Sequence, residues 1–300
     1  MIPPALALGG GGSRALCHLG VLEVLAEEEI PVGALAGSSL GGLLAALYAF
    51  QPDAPAVRER AVRFFSTSPH FGGHRRPARD DGGLSCTGGA WSRLRKHLRT
   101  FFVFNMLSLR PSLLRTNPSM HAAAELLPDA DIAEAALPLA LNAIDLVHAE
   151  AVALTRGNVR AAVEAGTTVG IVFPPYRWNG GRYLDAAPVS SVPVHAARSL
   201  GARTVVAVDI RSPVEPAHGF HTGFDVVSRL EMTSSRLLND REIASADVVI
   251  RPDVQEFFWG DFTAVEIIVE RGRAAAREAL PALRRVLDCP PVKDAAAPEQ

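Results

Sequence analysis

Two short apolar segments that run into glycine turns lie within the first forty residues, and they constrain the fold more than any other feature. Ala5–Leu8 leads into four consecutive glycines, and Val32–Ala36 leads into a Gly-Ser-Ser-Leu-Gly turn at 37–41. Apolar residues at helical spacing follow each turn. Parallel strands need a crossover, usually a helix, so two consecutive strand–turn–helix units predict neighbouring parallel strands.

The rest of the chain continues this alternation. The pattern predicts strands at 139–147, 151–154 and 204–210, a strand end at Tyr183-Leu184, and helices at 158–165, 195–200, 224–239 and 262–287. The run TVVAVDI at 204–210 is rich in β-branched residues, which is typical of a strand buried on both faces. Strands that alternate with helices predict an α/β fold with a mostly parallel sheet.

Residues 64–128 break this alternation and are predicted to be an insertion or lid. The run from Phe65 to Gly83 indicates a loop, and 91–115 is a basic amphipathic stretch. Between residues 70 and 120, nine Arg and Lys residues outnumber two Asp residues, a local charge of +7, although the whole chain carries −2. Two interpretations stay open for the stretch: peripheral contact with an anionic lipid surface, or an ordinary lid helix packed on the core.

Composition narrows the functional classes. The chain has 300 residues, 48% of them hydrophobic and 21% charged, which excludes a disordered protein. A net charge of −2 gives no reason to expect nucleic-acid binding. Three cysteines without metal-ligand spacing predict neither a disulfide framework nor a zinc site. The N-terminus lacks the features of a signal peptide, and the uncharged run 30–52 is interrupted by proline and glycine. We therefore expect a cytoplasmic protein without a transmembrane segment, in peripheral contact with a membrane at most.

The first glycine turn matches the dinucleotide-binding pattern GxGxxA at 10–15. That function also needs an acidic residue at the end of the second strand to hold the ribose. Here the second strand ends in Ala36-Gly37-Ser38, and the nearest acids, Glu27 to Glu29, fall in the preceding helix. The turn is better interpreted as backbone N–H groups that cradle a small oxyanion beside a helix N-terminus.

The second glycine turn matches the nucleophile elbow GxSxG, with Ser39 at its centre. The alternative is a plain turn whose hydroxyls cap a helix. An α/β-hydrolase would place an acid and then a late histidine after the serine. The last histidines are His218 and His221, in a polar loop, and only one strand precedes the elbow, so that fold is disfavoured. His195 remains a minor alternative as a catalytic partner.

Three blocks together resemble the patatin-like phospholipase family: 6–15 (LALGGGGSRA), 36–42 (AGSSLGG) and 185–187 (DAA). The similarity extends to 172–175, 193–194, 207–209 and 246–252. It covers roughly 5–285 and is weakest across 64–128. The resemblance implies a three-layer α/β sandwich with a mostly parallel central sheet, built as a single domain over 1–290 with a disordered tail at 291–300.

The resemblance also implies a chemistry, that of a serine lipid acyl hydrolase of the phospholipase A, lysophospholipase or esterase type. Such an enzyme uses a Ser-Asp dyad and an acyl-enzyme intermediate, on phospholipid or another acyl lipid, without metal or cofactor. The residues it assigns are Ser39 as nucleophile, Asp185 as base, Gly10, Gly11 and Gly12 as oxyanion hole, and Arg14, Gly37 and Gly41 as support.

Two positions depart from the family pattern. Ala15 and Ala186 stand where the family usually has glycine, and Ala186 would be strained if the residue after Asp185 needed a positive φ. Two other functions therefore stay open. One is an acyltransferase that uses the same nucleophile, although such enzymes usually have histidine where this chain has Ser38. The other is a catalytically weak lipid-binding regulatory module.

Overall fold

A central sheet of eight strands organises the computed structural model, which describes residues 3–71 and 112–288. The strands are β1 Ala5–Leu8, β2 Ala34–Ser38, β3 Leu139–Asp145, β4 Glu150–Leu154, β5 Tyr176–Trp178, β6 Gly181–Asp185, β7 Val205–Val208 and β8 Val248–Ile250. The helices are α1 Cys17–Glu27, α2 Ser39–Phe50, α3 Ala54–Thr67, α4 Pro118–Ala124, α5 Val159–Gly166, α6 Ala187–Ser190, α7 Val194–Ser199, α8 Gly223–Ile243 and α9 Val265–Asp288.

The strand order is β5-β6-β3-β2-β1-β7-β8, with β4 paired to β3 outside this path. The pairs from β3 through β2, β1 and β7 to β8 are parallel, and β4, β5 and β6 join in antiparallel pairs. This confirms the predicted α/β class and the mostly parallel sheet. It also agrees with both predicted strand–turn–helix units, since β1 and β2 are direct neighbours.

Both faces of the sheet are covered by helices, which makes three layers. Leu6 and Leu8 of β1 face a large cluster that includes side chains of α1, α2 and α9. Ala5 and Ala7 face the other way, toward a smaller alanine and valine cluster that includes α7. Successive residues of a strand point to opposite faces, so a strand buried on both sides has no polar position. That is why β1 and β7, Val205–Val208, are continuously apolar.

The pairing along β3 explains how two distant segments meet. Ser38 at the end of β2 lies opposite Asn142, and Asp185 at the end of β6 lies opposite Ala143, the next residue. β4 pairs with both Asn142 and Ala143 and so occupies one edge of β3, which leaves the opposite edge for β2 and β6. Hence β2 and β6 meet end to end along one edge of β3, and the turn after Ser38 lies beside Asp185.

The loop predicted from Phe65 onward is wrong for its first residues. α3 continues to Thr67, and Phe65 is completely buried, stacked on Phe262 with ring centroids 5.1 Å apart. Phe71 joins the same cluster at 4.7 Å from Phe262. The apolar rings stabilise this segment against the core, and local polar composition could not reveal that contact.

Parts of the predicted insertion and the tail at 291–300 lie outside the described residues. Of the basic stretch 91–115, only the last four residues are described, and Leu113 and Leu114 donate backbone hydrogen bonds to Ile171 and Val172. Peripheral lipid contact through this stretch stays a prediction. Among residues 3–71 and 112–288, no helix combines the length and the apolar character needed to cross a bilayer.

Helices α1 and α9 pack in very close contact because each carries a glycine where they cross. A Cβ added at Gly272 would lie 1.8 Å from the backbone oxygen of Cys17. A Cβ at Gly20 would lie 2.1 Å from the backbone oxygen of Val269. Both obstacles are backbone atoms, which cannot rotate away as a side chain can.

We predict that Gly272→Ala lowers the free energy of unfolding by about 3 kcal/mol, because the helices must separate to admit the methyl group. Gly223→Ala is the control, since nothing lies within 4 Å of a Cβ there, and its effect should stay within about 0.5 kcal/mol. Urea unfolding of both variants measures the difference. Equal stabilities would contradict the close crossing.

Candidate active site

Ser39 lies on a tight turn between β2 and α2, with the backbone in the left-handed region at φ +52°. Such a conformation is unfavourable for a residue with a side chain and is typical of a nucleophile elbow. A Cβ at Gly41 would lie 2.5 Å from the backbone oxygen of Gly9, and one at Gly37 would lie 2.4 Å from Gly42 Cα. The turn therefore requires glycine at both flanking positions.

The alternative interpretation of this turn, hydroxyls that cap α2, is wrong. Ser38 occupies the N-cap position, but its side chain makes no capping hydrogen bond. Within the described residues its Oγ is buried without a hydrogen-bond partner. The Ser39 side chain instead lies close enough to the carboxyl group of Asp185 to lower the pKa of that group.

Asp185 ends β6 and is 8% exposed. Burial raises the pKa of its carboxyl group above the ordinary value, while hydrogen bonds from Ser39 and from the backbone N–H of Ala187 act in the opposite direction. The N–H of Ala187 lies 2.9 Å from Asp185 Oδ1. A carboxylate with a raised pKa is a stronger base than one in water.

The condition that would strain Ala186, a positive φ after Asp185, does not occur. Its backbone lies at φ −82° and ψ −2°, an ordinary right-handed conformation. Ala186 is the N-cap residue of α6, so the chain turns into this helix directly after Asp185 without a positive φ. Alanine therefore fits this position without distortion.

The glycine loop faces Ser39 from the end of β1. Gly10 is buried, and its N–H donates to Ser191 O at 2.9 Å, so this donor is already engaged. Gly11 and Gly12 are partly exposed, and in the described part of the chain their N–H groups have no backbone acceptor. A Cβ at Gly12 would lie 2.1 Å from Trp259 O. Gly10 thus differs from Gly11 and Gly12 in having an N–H that is already engaged, and the oxyanion role of these glycines stays a prediction.

Two side chains hold this loop in place. Arg14 Nε donates to Gly11 O at 3.2 Å, and its guanidinium also reaches the hydroxyl of Ser212. His18 Nε2 lies 2.8 Å from Gly9 O. Burial lowers the pKa of His18 to about 4, so the ring is neutral and Nε2–H is the donor. The sequence pattern favours a packed Cys17 and a buried, hydrogen-bonded His18 in the first helix, and the structure agrees.

Asn239 of α8 ties the glycine loop to the loop that carries Asp185. Asn239 is 2% exposed, and its Oδ1 accepts the N–H of Ser191, whose own carbonyl accepts the N–H of Gly10. Its Nδ2 donates to Ala187 O at 3.3 Å. Sequence reasoning missed Asn239, because it lies about fifty residues from its partners in a helix with no motif.

Ser39, Asp185 and the glycine loop share one cavity of about 890 Å³. Most of its wall is apolar and comes from separate segments of the chain, including Leu40, Phe71, Met120, Val172, Phe173 and Phe262. A cavity of this size and character suits an acyl chain better than a polar substrate. His70 also lines it, next to Phe71. Among the described residues, no group of three His, Cys, Asp or Glu side chains is placed to hold a metal ion.

Comparison with known proteins decides the family. The profile described as "Patatin-like phospholipase" matches residues 6–198. The chain belongs to the patatin-like phospholipase family. The match includes the glycine loop, Ser39 and Asp185, whereas Asn239 lies outside it.

Relatives in the family are much longer than this chain. The patatin-like phospholipase domain-containing protein ZK370.4 of Caenorhabditis elegans is 28% identical over 91% of this chain and 20% of its own length. Lysophospholipase NTE1 of Mycosarcoma maydis is 24% identical over 92% of this chain and 14% of its own length. The solved structure of VipD from Legionella pneumophila gives a TM-score of 0.49 at 14% identity, over 94% of this chain and 67% of VipD.

His195 lies apart from this patatin-like centre, whereas Asp209 is one of the residues that line the cavity. His195 exposes 72% of its side chain, has Glu242 at 4.0 Å, and is not among the described residues that line the cavity. Asp209 pairs with Arg211 at 3.0 Å and with Arg251 at 3.6 Å. The minor alternative with His195 as catalytic partner is therefore wrong, and Asp209 holds arginines at the rim of the cavity.

We predict that His18 makes stability depend on pH. Its pKa is 6.5 unperturbed and about 4 in the folded protein, so between these values the unfolded chain binds more protons. The stability that His18 contributes is complete above pH 6.5 and is lost as the pH falls toward 4, by about 3 kcal/mol. His18→Gln keeps an N–H donor without titrating, so its unfolding free energy should depend less on pH. Identical pH profiles for the two proteins would contradict this.

Proposed function

We propose that this chain is a serine lipid acyl hydrolase that cleaves acyl ester bonds through Ser39 and Asp185. The observation that carries the proposal is the buried carboxyl group of Asp185 beside the Ser39 hydroxyl, at one wall of an apolar cavity. Family membership supports the same class of reaction.

The first step is acylation. Ser39 Oγ attacks the ester carbonyl while its proton passes to Asp185, which accepts it more readily because burial raises the pKa of the carboxyl group. The carbonyl oxygen becomes an oxyanion that the N–H groups of Gly11 and Gly12 receive. Ser39 also lies at the N-terminus of α2, whose dipole favours negative charge. One preorganised donor of this kind contributes about 3 kcal/mol to the barrier reduction.

The tetrahedral intermediate then collapses, the bond to the leaving alkoxide breaks, and Asp185 returns the proton to it. Water hydrolyses the acyl-enzyme in the second half, with Asp185 again acting as the base. Ala186 fits its backbone position without strain, which favours an active enzyme over a regulatory module with a damaged dyad.

The substrate class follows from the cavity. Its apolar wall accommodates an acyl chain, and several arginines, Arg14 and Arg211 among them, line its polar side. We propose a phospholipid, lysophospholipid or similar acyl lipid as substrate. One relative, of which this chain spans 14%, bears the name lysophospholipase.

Hydrolysis of a short p-nitrophenyl ester tests the two assignments. Ser39→Ala removes the nucleophile and Asp185→Asn removes the base, so each should lower kcat/KM by about a thousandfold or more. Ser38→Ala is the matched control, since its hydroxyl has no partner and its loss should leave turnover and stability nearly unchanged. Full activity of Ser39→Ala, or loss of activity in Ser38→Ala alone, would contradict the assignment.

The raised pKa of Asp185 has opposite effects on activity and stability. The base must be ionised, so kcat/KM should fall as the pH decreases through a midpoint above the ordinary value of 3.8. The stability linked to this carboxyl group is present below pH 3.8 and is lost as the pH rises through the raised pKa.

Asp185→Asn removes the buried charge, so we predict a higher melting temperature than wild type at neutral pH and a smaller difference in acid. Calorimetry at several pH values measures this. A variant that is less stable than wild type at neutral pH would show that the carboxylate stabilises the fold instead.

A further inference from the structure

The side-chain amide of Asn239 lines the cavity but is fully engaged within the protein. Its Oδ1 accepts the N–H of Ser191 at 2.5 Å. Its Nδ2 donates to Ala187 O at 3.3 Å and to Ser235 O at 2.9 Å. An amide nitrogen carries two hydrogens, so both donors are in use. Asn239 therefore has no donor left to offer a substrate.

Helix α8 gives this amide a fixed support. Ser235 lies one turn before Asn239, so the bond to its carbonyl oxygen holds the amide against the helix itself. The helix is anchored to the body just beyond this point, where Glu242 Oε1 accepts the N–H of His195 at 3.1 Å and Ile243 is buried. The remaining groups of the amide thus reach the two loops in a set orientation.

The first branch leads from Asn239 to the glycine loop. Ser191 donates its N–H to Asn239, and its own carbonyl oxygen accepts the N–H of Gly10 at 2.9 Å. Gly11 and Gly12, the proposed oxyanion donors, follow directly in the chain. A shift of Ser191 would therefore displace the loop that carries these donors.

The second branch leads from Asn239 to the base. Asn239 binds the carbonyl oxygen of Ala187, and the N–H of the same residue donates to Asp185 Oδ1 at 2.9 Å. Holding the carbonyl group restricts the backbone of Ala187, and so restricts the N–H that orients the carboxyl group. One amide is thus connected to both halves of the catalytic apparatus.

We propose that Asn239 is a positioning residue of the reaction, which keeps the glycine loop and Asp185 in register with each other. Catalytic groups need to be held within about 0.5 Å of their productive positions, and a misplacement of 1 Å can cost about a hundredfold in rate. This inference rests on the proposed hydrolase function. The family match ends at residue 198, so it does not include Asn239.

Asn239→Leu tests the role with the short p-nitrophenyl ester. Leucine is similar in size, but it leaves the N–H of Ser191 and the carbonyl oxygen of Ala187 without their partner. We expect kcat to fall about tenfold or more, because the reacting groups lose their register. KM should stay within about twofold, because the amide holds the protein groups and not the substrate.

The pH profile supplies a readout that lost stability alone would not move. Donation from the N–H of Ala187 lowers the pKa of Asp185, so a loosened Ala187 raises that pKa. In Asn239→Leu, the acid midpoint of kcat/KM should therefore move to higher pH. Other described groups on the cavity wall that titrate in acid are the same in both proteins: His70, Asp209, Glu231 and Asp240.

Glu242→Met is the matched control. Glu242 lies on the next turn of α8, is 5% exposed, and also accepts a backbone N–H, that of His195. In the described part of the chain, its side chain bonds neither the glycine loop nor the Asp185 loop. The control should keep the kcat and the acid midpoint of the wild type. Circular dichroism and urea unfolding establish that both variants are folded under the assay conditions.

Asn239→Asp separates the two branches and keeps the test open if the leucine variant does not fold. Aspartate has the same shape and still accepts the N–H of Ser191, but as a carboxylate it cannot donate to Ala187 O. Its kcat should lie between those of the wild type and Asn239→Leu. A kcat equal to that of the wild type would overturn the second branch, and with it the coupling of the two loops.

Three further results would overturn the proposal: wild-type kcat in Asn239→Leu, an equal loss of kcat in Glu242→Met, or a lower kcat with no movement of the acid midpoint. In each of these cases the wild type is active, so the hydrolase assignment stands. A wild type that neither hydrolyses the ester nor reacts with a fluorophosphonate contradicts the assignment itself. The two failures are thus distinguishable.

Discussion

The site depends on two strands that meet end to end along one edge of β3. β2 arrives parallel and ends at Ser38, while β6 arrives antiparallel and ends at Asp185. The two strand ends are almost 150 residues apart in sequence, so they come together only because both strands pair with β3. The hydrogen-bond register with β3 fixes both ends, and so it sets the separation of the Ser39 hydroxyl and the Asp185 carboxyl group. Rigid backbone pairing thus positions the side chains of Ser39 and Asp185.

Close backbone contacts then fix the turns on either side. Gly41 lies against the end of β1, and Gly12 lies against Trp259 O, at distances that no side chain would allow. Hydrogen bonds through Asn239 join the glycine loop to the Asp185 loop. His18 forms a hydrogen bond with Gly9 O at the start of the glycine loop. The glycine loop is therefore held by contacts within the protein, and this loop carries the proposed oxyanion donors Gly11 and Gly12.

Local patterns were enough to predict the α/β class, the glycine loop and the elbow, since each is encoded within about ten consecutive residues. The spacing GxSxG is enough to propose Ser39 as the nucleophile, and the family resemblance proposes Asp185 as the base. Long-range contacts could not be predicted. Asn239 carries no local signal. Phe65 belongs to α3 instead of the predicted loop, and both Phe65 and Phe71 pack on Phe262, which is distant in sequence. The engagement of Gly10 depends on Ser191. The family pattern could not show that Ala186 has a negative φ, because that is a property of the folded backbone.

The most direct measurement of the central claim is covalent labelling with a fluorophosphonate, followed by intact-mass analysis and peptide mapping. A serine activated by a buried carboxylate and flanked by oxyanion donors should take up one phosphonyl group, and the adduct should map to Ser39. Labelling should be lost in Asp185→Asn, because the base is needed for the attack. A folded protein that stays unlabelled, or an adduct on a different residue, would contradict the account.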